Sequence, residues 1–277
     1  MLENLGVSQF STLRWSFFQD VRRYASLGFN RIGIWRGKLE EIGADEAADF
    51  IFEMKMGVSS LSWAGGFTGG DGDSFASKID DAIDAIQTAA ILRANCLIVH
   101  PGSMNGHIRR HARRLLDDAL KILVPVATDY GVRLALEPMD RKETPHWTIL
   151  DGLAETVGAC EMHSPQQVGL VWDLYHLGLN PTAWKSMPEL LDRIAIVQLA
   201  DRRTESFMPR RSQLGSGAVP LSNWLDRIQQ LGYRGQWELE IAGSELGAIG
   251  YPDALTDARA YLKKCSRTLT SNTSASS

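Results

Sequence analysis

In the second half of the chain, four polar side chains end apolar runs. Leu134-Ala135-Leu136 leads into Glu137, Leu170-Val171-Trp172 into Asp173, Ala195-Ile196-Val197 into Gln198, and Trp237-Glu238-Leu239 into Glu240. Neighbouring strands of a sheet lie about 4.8 Å apart, so four such side chains pointing inward would crowd three negative charges into one wall. Charges packed that closely need a cation. Carboxylate and amide oxygens suit a hard divalent ion, Mn2+ or Mg2+, with Co2+ or Zn2+ also able to bind. A lone Asp or Glu at a strand end is ordinarily a loop cap or a surface charge, and the metal reading rests on their joint occurrence. His100 ends an earlier run, Ile98-Val99-His100, where it contacts substrate or ligands or is a buried structural histidine. Trp35 and Trp63 end two others, where their rings could stack on ligand C–H groups or sit in the core.

Positioning these residues requires a regular frame. Short runs rich in Val, Ile and Leu recur at Leu5–Phe10, Arg31–Trp35, Gly57–Trp63, Cys96–His100, Arg133–Glu137, Gly169–Asp173, Ala195–Leu199 and Gln236–Ile241. Between them lie amphipathic stretches such as Ser74–Leu92, Ile108–Tyr130, Leu221–Leu231 and Tyr251–Lys264. An eightfold βα alternation over about 250 residues predicts an α/β fold, a (β/α)8 TIM barrel, with chemistry at the C-terminal ends of the strands. The barrel is expected as a single domain over residues 1–267, and Thr268–Ser277, a Ser/Thr/Asn run, as a disordered tail. The Gly-rich segment Gly65–Gly72 reads as a mobile loop over the mouth rather than a phosphate cradle, for it lacks Gly-Lys-Ser/Thr.

Composition narrows the partners. The 277 residues are 44% hydrophobic, enough for a full core, and 29 Lys+Arg against 33 Asp+Glu leave a net charge of −4. No global positive field holds a polyanion, so neither nucleic acid nor a membrane surface is expected. Cys96, Cys160 and Cys265 show no C-x-x-C spacing, which points to a reducing, cytoplasmic compartment. The N-terminus has no basic-then-apolar leader pattern. Large aromatics in the early loops suit a homodimer. The basic run Arg109–Arg114 reads as a solvated helix face, with contact to a phosphate as the alternative. Glu238 and Arg133 both face inward beneath the mouth and are expected in one buried ion network.

The segments Glu137–Thr144 (EPMDRKET), Trp172–His176 (WDLYH) and Gly232–Glu240 (GYRGQWELE) resemble the xylose-isomerase-like TIM-barrel sugar isomerases and epimerases, a family that includes ketose 3-epimerases and hydroxypyruvate isomerases. The resemblance implies one divalent metal held by Glu137, Asp173, Gln198 and Glu240, with Glu137 and Glu240 doubling as the proton-transfer pair. It implies that Glu143 and His176 hydrogen-bond the carbonyl end of the substrate. Gln198 stands where the epimerases usually carry histidine and where the hydroxypyruvate-isomerase group uses glutamine. Arg202, Arg203, Arg210 and Arg211 compete for the family's substrate arginine, and Arg203 is the position carried over.

The expected activity is that of a metal-dependent isomerase or epimerase acting on a sugar or sugar phosphate. A metal chelated by a carbonyl and the neighbouring hydroxyl acidifies the C–H between them. One carboxylate removes the proton, and a second on the opposite face returns it. Two rivals remain: a catalytically silent sugar-binding barrel, and the AP-endonuclease branch of DNA repair. The latter needs histidines for three zincs, and the third strand offers only Ser59–Trp63 (SSLSW).

Overall fold

The computed structural model describes every residue except 71, 205–208, 242–245, 247–248 and 274–277, with side chains described as far as Ser266. Strands β1 (Leu5–Ser8), β2 (Arg31–Trp35), β3 (Gly57–Gly65), β4 (Leu97–His100), β5 (Leu134–Leu136), β6 (Val168–Asp173) and β7 (Ile194–Leu199) occupy the first seven expected runs. A short antiparallel hairpin follows, β8 (Asp201–Arg203) and β9 (Arg210–Ser212), and then β10 (Gln236–Leu239). Eight of them close in the order β1-β10-β7-β6-β5-β4-β3-β2, every pair parallel. The protein is thus a (β/α)8 TIM barrel.

Strands buried on both faces need apolar residues on both, and β6 and β7 are buried throughout. One side chain set faces outward onto the helices: Leu134 and Leu136 of β5, with Leu170 and Trp172 of β6, join the large core. The alternate set faces inward, where Cys96, Ile98, Ala135, Val171, Ala195 and Ile196 plug the barrel floor. Continuing that alternation upward brings Glu137, Asp173, Gln198 and Glu240 to the mouth. Helices α1 (Phe17–Ser26), α2 (Ala44–Glu53), α3 (Phe75–Ile91), α4 (Arg109–Asp129), α5 (Gly152–Cys160), α6 (Leu174–Leu177), α7 (Pro181–Leu190), α8 (Leu221–Gln230) and α9 (Tyr251–Thr273) connect the strands or follow the last. Among the described residues no helix is long and apolar enough to cross a membrane.

α9 is anchored by buried Ala254, Leu255, Ala258 and Leu262, and its backbone is helical to Thr273. Extending a formed helix costs far less than starting one. Two local expectations differ from what forms. The start of the Gly-rich segment is pinned rather than loose: Gly66 and Phe67 donate to the carbonyls of His100 and Pro101, and the Phe67 ring is fully buried. Arg133 does not meet Glu238. Its guanidinium donates to the carbonyls of Asp192 and Ile194 at the barrel's base, at 3.0 and 3.3 Å.

The first strand is tied to the last by more than its ladder. Ser8 caps the 3-10 turn that follows β1. Within that turn the Ser11 hydroxyl donates to the Leu239 carbonyl (3.3 Å) and accepts from the Ile241 N–H (3.0 Å), so it brackets Glu240.

Candidate active site

The site has two tiers. The lower tier is centred on Glu238, fully buried, which accepts hydrogen bonds from Ser59 (2.5 Å), Ser60 (2.8 Å) and the Gln198 amide (3.0 Å). A bulge in β3 opposite Ile32 and Gly33 lets two consecutive serines reach one carboxylate. Gly33 leaves the room, because a Cβ there would lie 2.2 Å from a Glu238 oxygen. Burial raises the Glu238 pKa, and the hydrogen bonds of Ser59, Gln198 and Ser60 pull it back.

The upper tier is an arc over β5, β6, β7 and β10. The ladder sets Asp173 beside Gln198, and Gln198 beside Glu238. The Glu240 N–H bonds the Leu199 carbonyl and continues that ladder past β10. Asp173 also caps α6, its Oδ1 accepting from the Tyr175 N–H at 2.8 Å. The one-turn helix swings His176 back over the site, 3.7 Å from Glu137 and 3.9 Å from Asp173. His100 Nε2 lies 2.8 Å from Glu137 Oε2. The Gln198 amide nitrogen donates to Glu240 at 2.8 Å as well as to Glu238.

Arg211, on β9, supplies positive charge to the arc. Its guanidinium lies 2.5 Å from Asp173, 3.2 Å from Glu240 and 4.0 Å from Glu137. Arg202, paired with it across the hairpin, meets Glu143 at 2.5 Å. Both cations stand over the Tyr175 ring. Arg203 sits at the exposed end of β8, outside this cluster. Trp63 stands 5.7 Å from the His100 ring, whereas Trp35 packs on Phe10. The basic run on α4 pairs locally, Arg109 with Glu155 and Arg113 with Asp117.

These contacts retune the acids. Burial, then Asp173, carries Glu137 well above the usual carboxylate range. Burial pushes Glu240 up to about 8 against the pull of Arg211. Burial lowers His100 to about 4 and His176 to about 3, so both imidazoles are neutral at pH 7. Carboxyls whose proton affinity approaches neutrality suit proton transfer.

The donors fit a hard divalent cation. Glu137 Oε1 and Gln198 Oε1 are buried without a hydrogen-bond partner. Among the described residues Glu137, Asp173 and His176 bring ligand atoms within 4.8 Å of one another. His176, expected only as a substrate contact, thus stands among the possible ligands.

Ser11, Ser59 and Ser60 are the site residues that sequence reasoning missed, and of the four competing arginines it is Arg202 and Arg211 that stand at the acids. The hairpin bearing Arg211 is held by Asp201, buried, whose carboxylate accepts from the N–H groups of Arg202, Gly215, Gly217 and Val219 at 2.8 to 3.0 Å. Asp201→Ala leaves those donors without their acceptor and is expected to lower stability by about 3 kcal/mol. Urea titration measures it; a loss below about 1 kcal/mol would show that the loop holds itself.

The chain belongs to the xylose isomerase-like TIM barrel family, whose sequence pattern matches residues 21–265. It is 26% identical over 179 residues to a Streptomyces coelicolor protein bearing the name hydroxypyruvate isomerase, covering 62% of this chain and 60% of that one. It is 27% identical over 179 residues to an L-ribulose 3-epimerase of Methylomonas, covering 63% and 57%. The matched part thus spans less than two thirds of these relatives' length. The crystal structure of the IOLI protein with a bound zinc atom superposes with a TM-score of 0.81 at 18% identity, over 95% of this chain and 97% of that one.

Proposed function

We propose that this protein is a metal-dependent isomerase or epimerase of sugars or sugar phosphates, moving a proton on and off a carbon beside a carbonyl. The observation that carries the reading is Glu137: buried, pressed by His100 through one oxygen, and left with its other oxygen unpartnered beside His176 and Arg211. The names of the two curated relatives support the chemical class, and the zinc of the IOLI structure supports the metal.

Glu137, Asp173, Gln198 and Glu240 would hold the ion, with His176 in reach. Mn2+ or Mg2+ suits the oxygen donors, and Co2+ or Zn2+ the arrangement with His176. When bound, the ion acts as a Lewis acid that acidifies the C–H beside the substrate carbonyl. Glu137 and Glu240 flank the arc, separated by β6 and β7, so a planar enediolate lying between them presents one face to each. One carboxylate takes the proton, and the other returns it to the opposite face or to the adjacent carbon. His100, with Nε2 protonated, donates to Glu137 Oε2 and leaves Oε1 for the substrate. Arg211 and Arg202 favour the negative oxygens that develop, and Glu143 holds Arg202.

Wild-type protein loaded with each of these ions should bind one per chain by calorimetry. In D2O it should wash deuterium into at least one ketose or ketose phosphate, read by NMR. No stoichiometric ion site would remove the metal from the reading. Ion binding without exchange in any ketose would leave a silent sugar-binding barrel.

A further inference from the structure

On the side of β3 and β4 the mouth deepens into a second cavity of about 200 Å³. His100 is the wall shared with the carboxylate arc: its ring holds Glu137 and also lines the cavity. Trp63 and Trp147 flank that ring, 5.7 and 5.2 Å from it, and meet each other edge to face at 5.2 Å. The opposite wall is backbone. A Cβ on Gly102 would lie 2.6 Å from Gly66 Cα, and one on Gly70 would lie 2.4 Å from the Asn105 amide. All three glycines have positive φ, so the wall stays bare and the space beside the tryptophans stays open.

We infer that this cavity binds a second, uncharged sugar ring, so that the substrate of the neighbouring site is a glycosylated ketose rather than a free or phosphorylated one. The inference rests on the reading of that site as one acting on ketoses.

Charge decides between ring and phosphate. Lys78 is the only lysine or arginine among the described lining residues, and its ammonium lies 2.5 Å from Asp73. A phosphate would have to displace that carboxylate or sit beside it, and like charges at such a distance repel. A hydroxylated ring carries no such penalty. It offers donors and acceptors to Ser103, Asn105 and His146 around the rim, which carry both. Its C–H faces suit indole rings. The shared His100 wall puts this ring next to the reacting ketose, within reach of a glycosidic link.

The test compares fructose, fructose 6-phosphate and the glucosyl-fructoses linked through O-4, O-5 or O-6 of fructose, all of which leave carbons 2 and 3 free. Deuterium exchange at carbon 3 gives kcat/KM, and calorimetry gives Kd. Wild type should favour at least one disaccharide over fructose about tenfold, and Trp147→Ala and Asn105→Gly should each erase most of that ratio. Glycine at 105 keeps the positive φ of Asn105. Equal handling of fructose and every disaccharide, a preference for the phosphate, or a disaccharide preference that survives in both variants would each overturn the inference while leaving the proposed isomerase chemistry intact. If no ketose exchanges, the proposed chemistry fails by itself and the Kd values decide. Disaccharide binding that both variants weaken keeps the cavity assignment, and its absence overturns it.

Discussion

Glu137→Gln and Glu240→Gln are each expected to reduce turnover about a thousandfold or more. The amide keeps the shape and an oxygen but cannot accept a proton. Loss of turnover alone would not separate a proton-transfer role from an ion-binding one, so exchange in D2O is the informative readout. A variant that retains one base should still introduce deuterium from that base's face without completing the inversion or transfer. The two variants should therefore differ in which exchange survives. Their environments favour a division of labour: His100 fixes one oxygen of Glu137, whereas Glu240 is held by the Gln198 amide and Arg211. Full exchange in both variants would overturn the two-carboxylate mechanism and shift suspicion to His176 or His100.

Asp173→Ala is expected to weaken divalent-ion binding about a hundredfold or more, whereas Gln198→His should retain it. Alanine removes the most buried carboxylate of the arc, the cap of α6 and the shortest contact of Arg211 together. Stripping a buried ion pair of one member costs about 3 kcal/mol or more, so the urea midpoint should fall as well. Imidazole at 198 keeps a lone pair for an ion and an N–H for one of the two glutamates. Equal loss of ion binding in the two variants would mean that Gln198 serves only to bind Glu238 and Glu240 to each other through its amide nitrogen.

Much of this arrangement is legible without coordinates, for a definite reason. In a parallel barrel the strand period is two, so counting back from Glu137, Asp173, Gln198 and Glu240 gives the inward set without further information. What cannot be counted depends on departures from that period. The β3 bulge turns Ser59 and Ser60 onto one carboxylate, and strict alternation would give it only one of them. Glu238 therefore finds hydroxyls and an amide for partners, and Arg133, on the same inward set but at the base, finds carbonyls instead. Arg211 is hidden for another reason. Four arginines of one type lie around a hairpin, and only the pairing of Arg202 with Arg211 decides which pair faces Tyr175 and the acids. The pairing depends in turn on Asp201 gathering N–H groups from residues 202 to 219.

The bond between Ser11 and the backbone on either side of Glu240 lies at the seam where the ring closes, joining residues near the two ends of the sequence. A half-synthesised chain has no β10 to stand beside β1 and no place to seat Glu240. Such a contact, among the most distant along the chain that this barrel contains, forms only at high loop-closure cost. Glu240, just past the last strand, is thus set in place with the help of Ser11 near the start of the chain, and partial barrels released early from synthesis should be inert. Competence would arrive only with the finished circle.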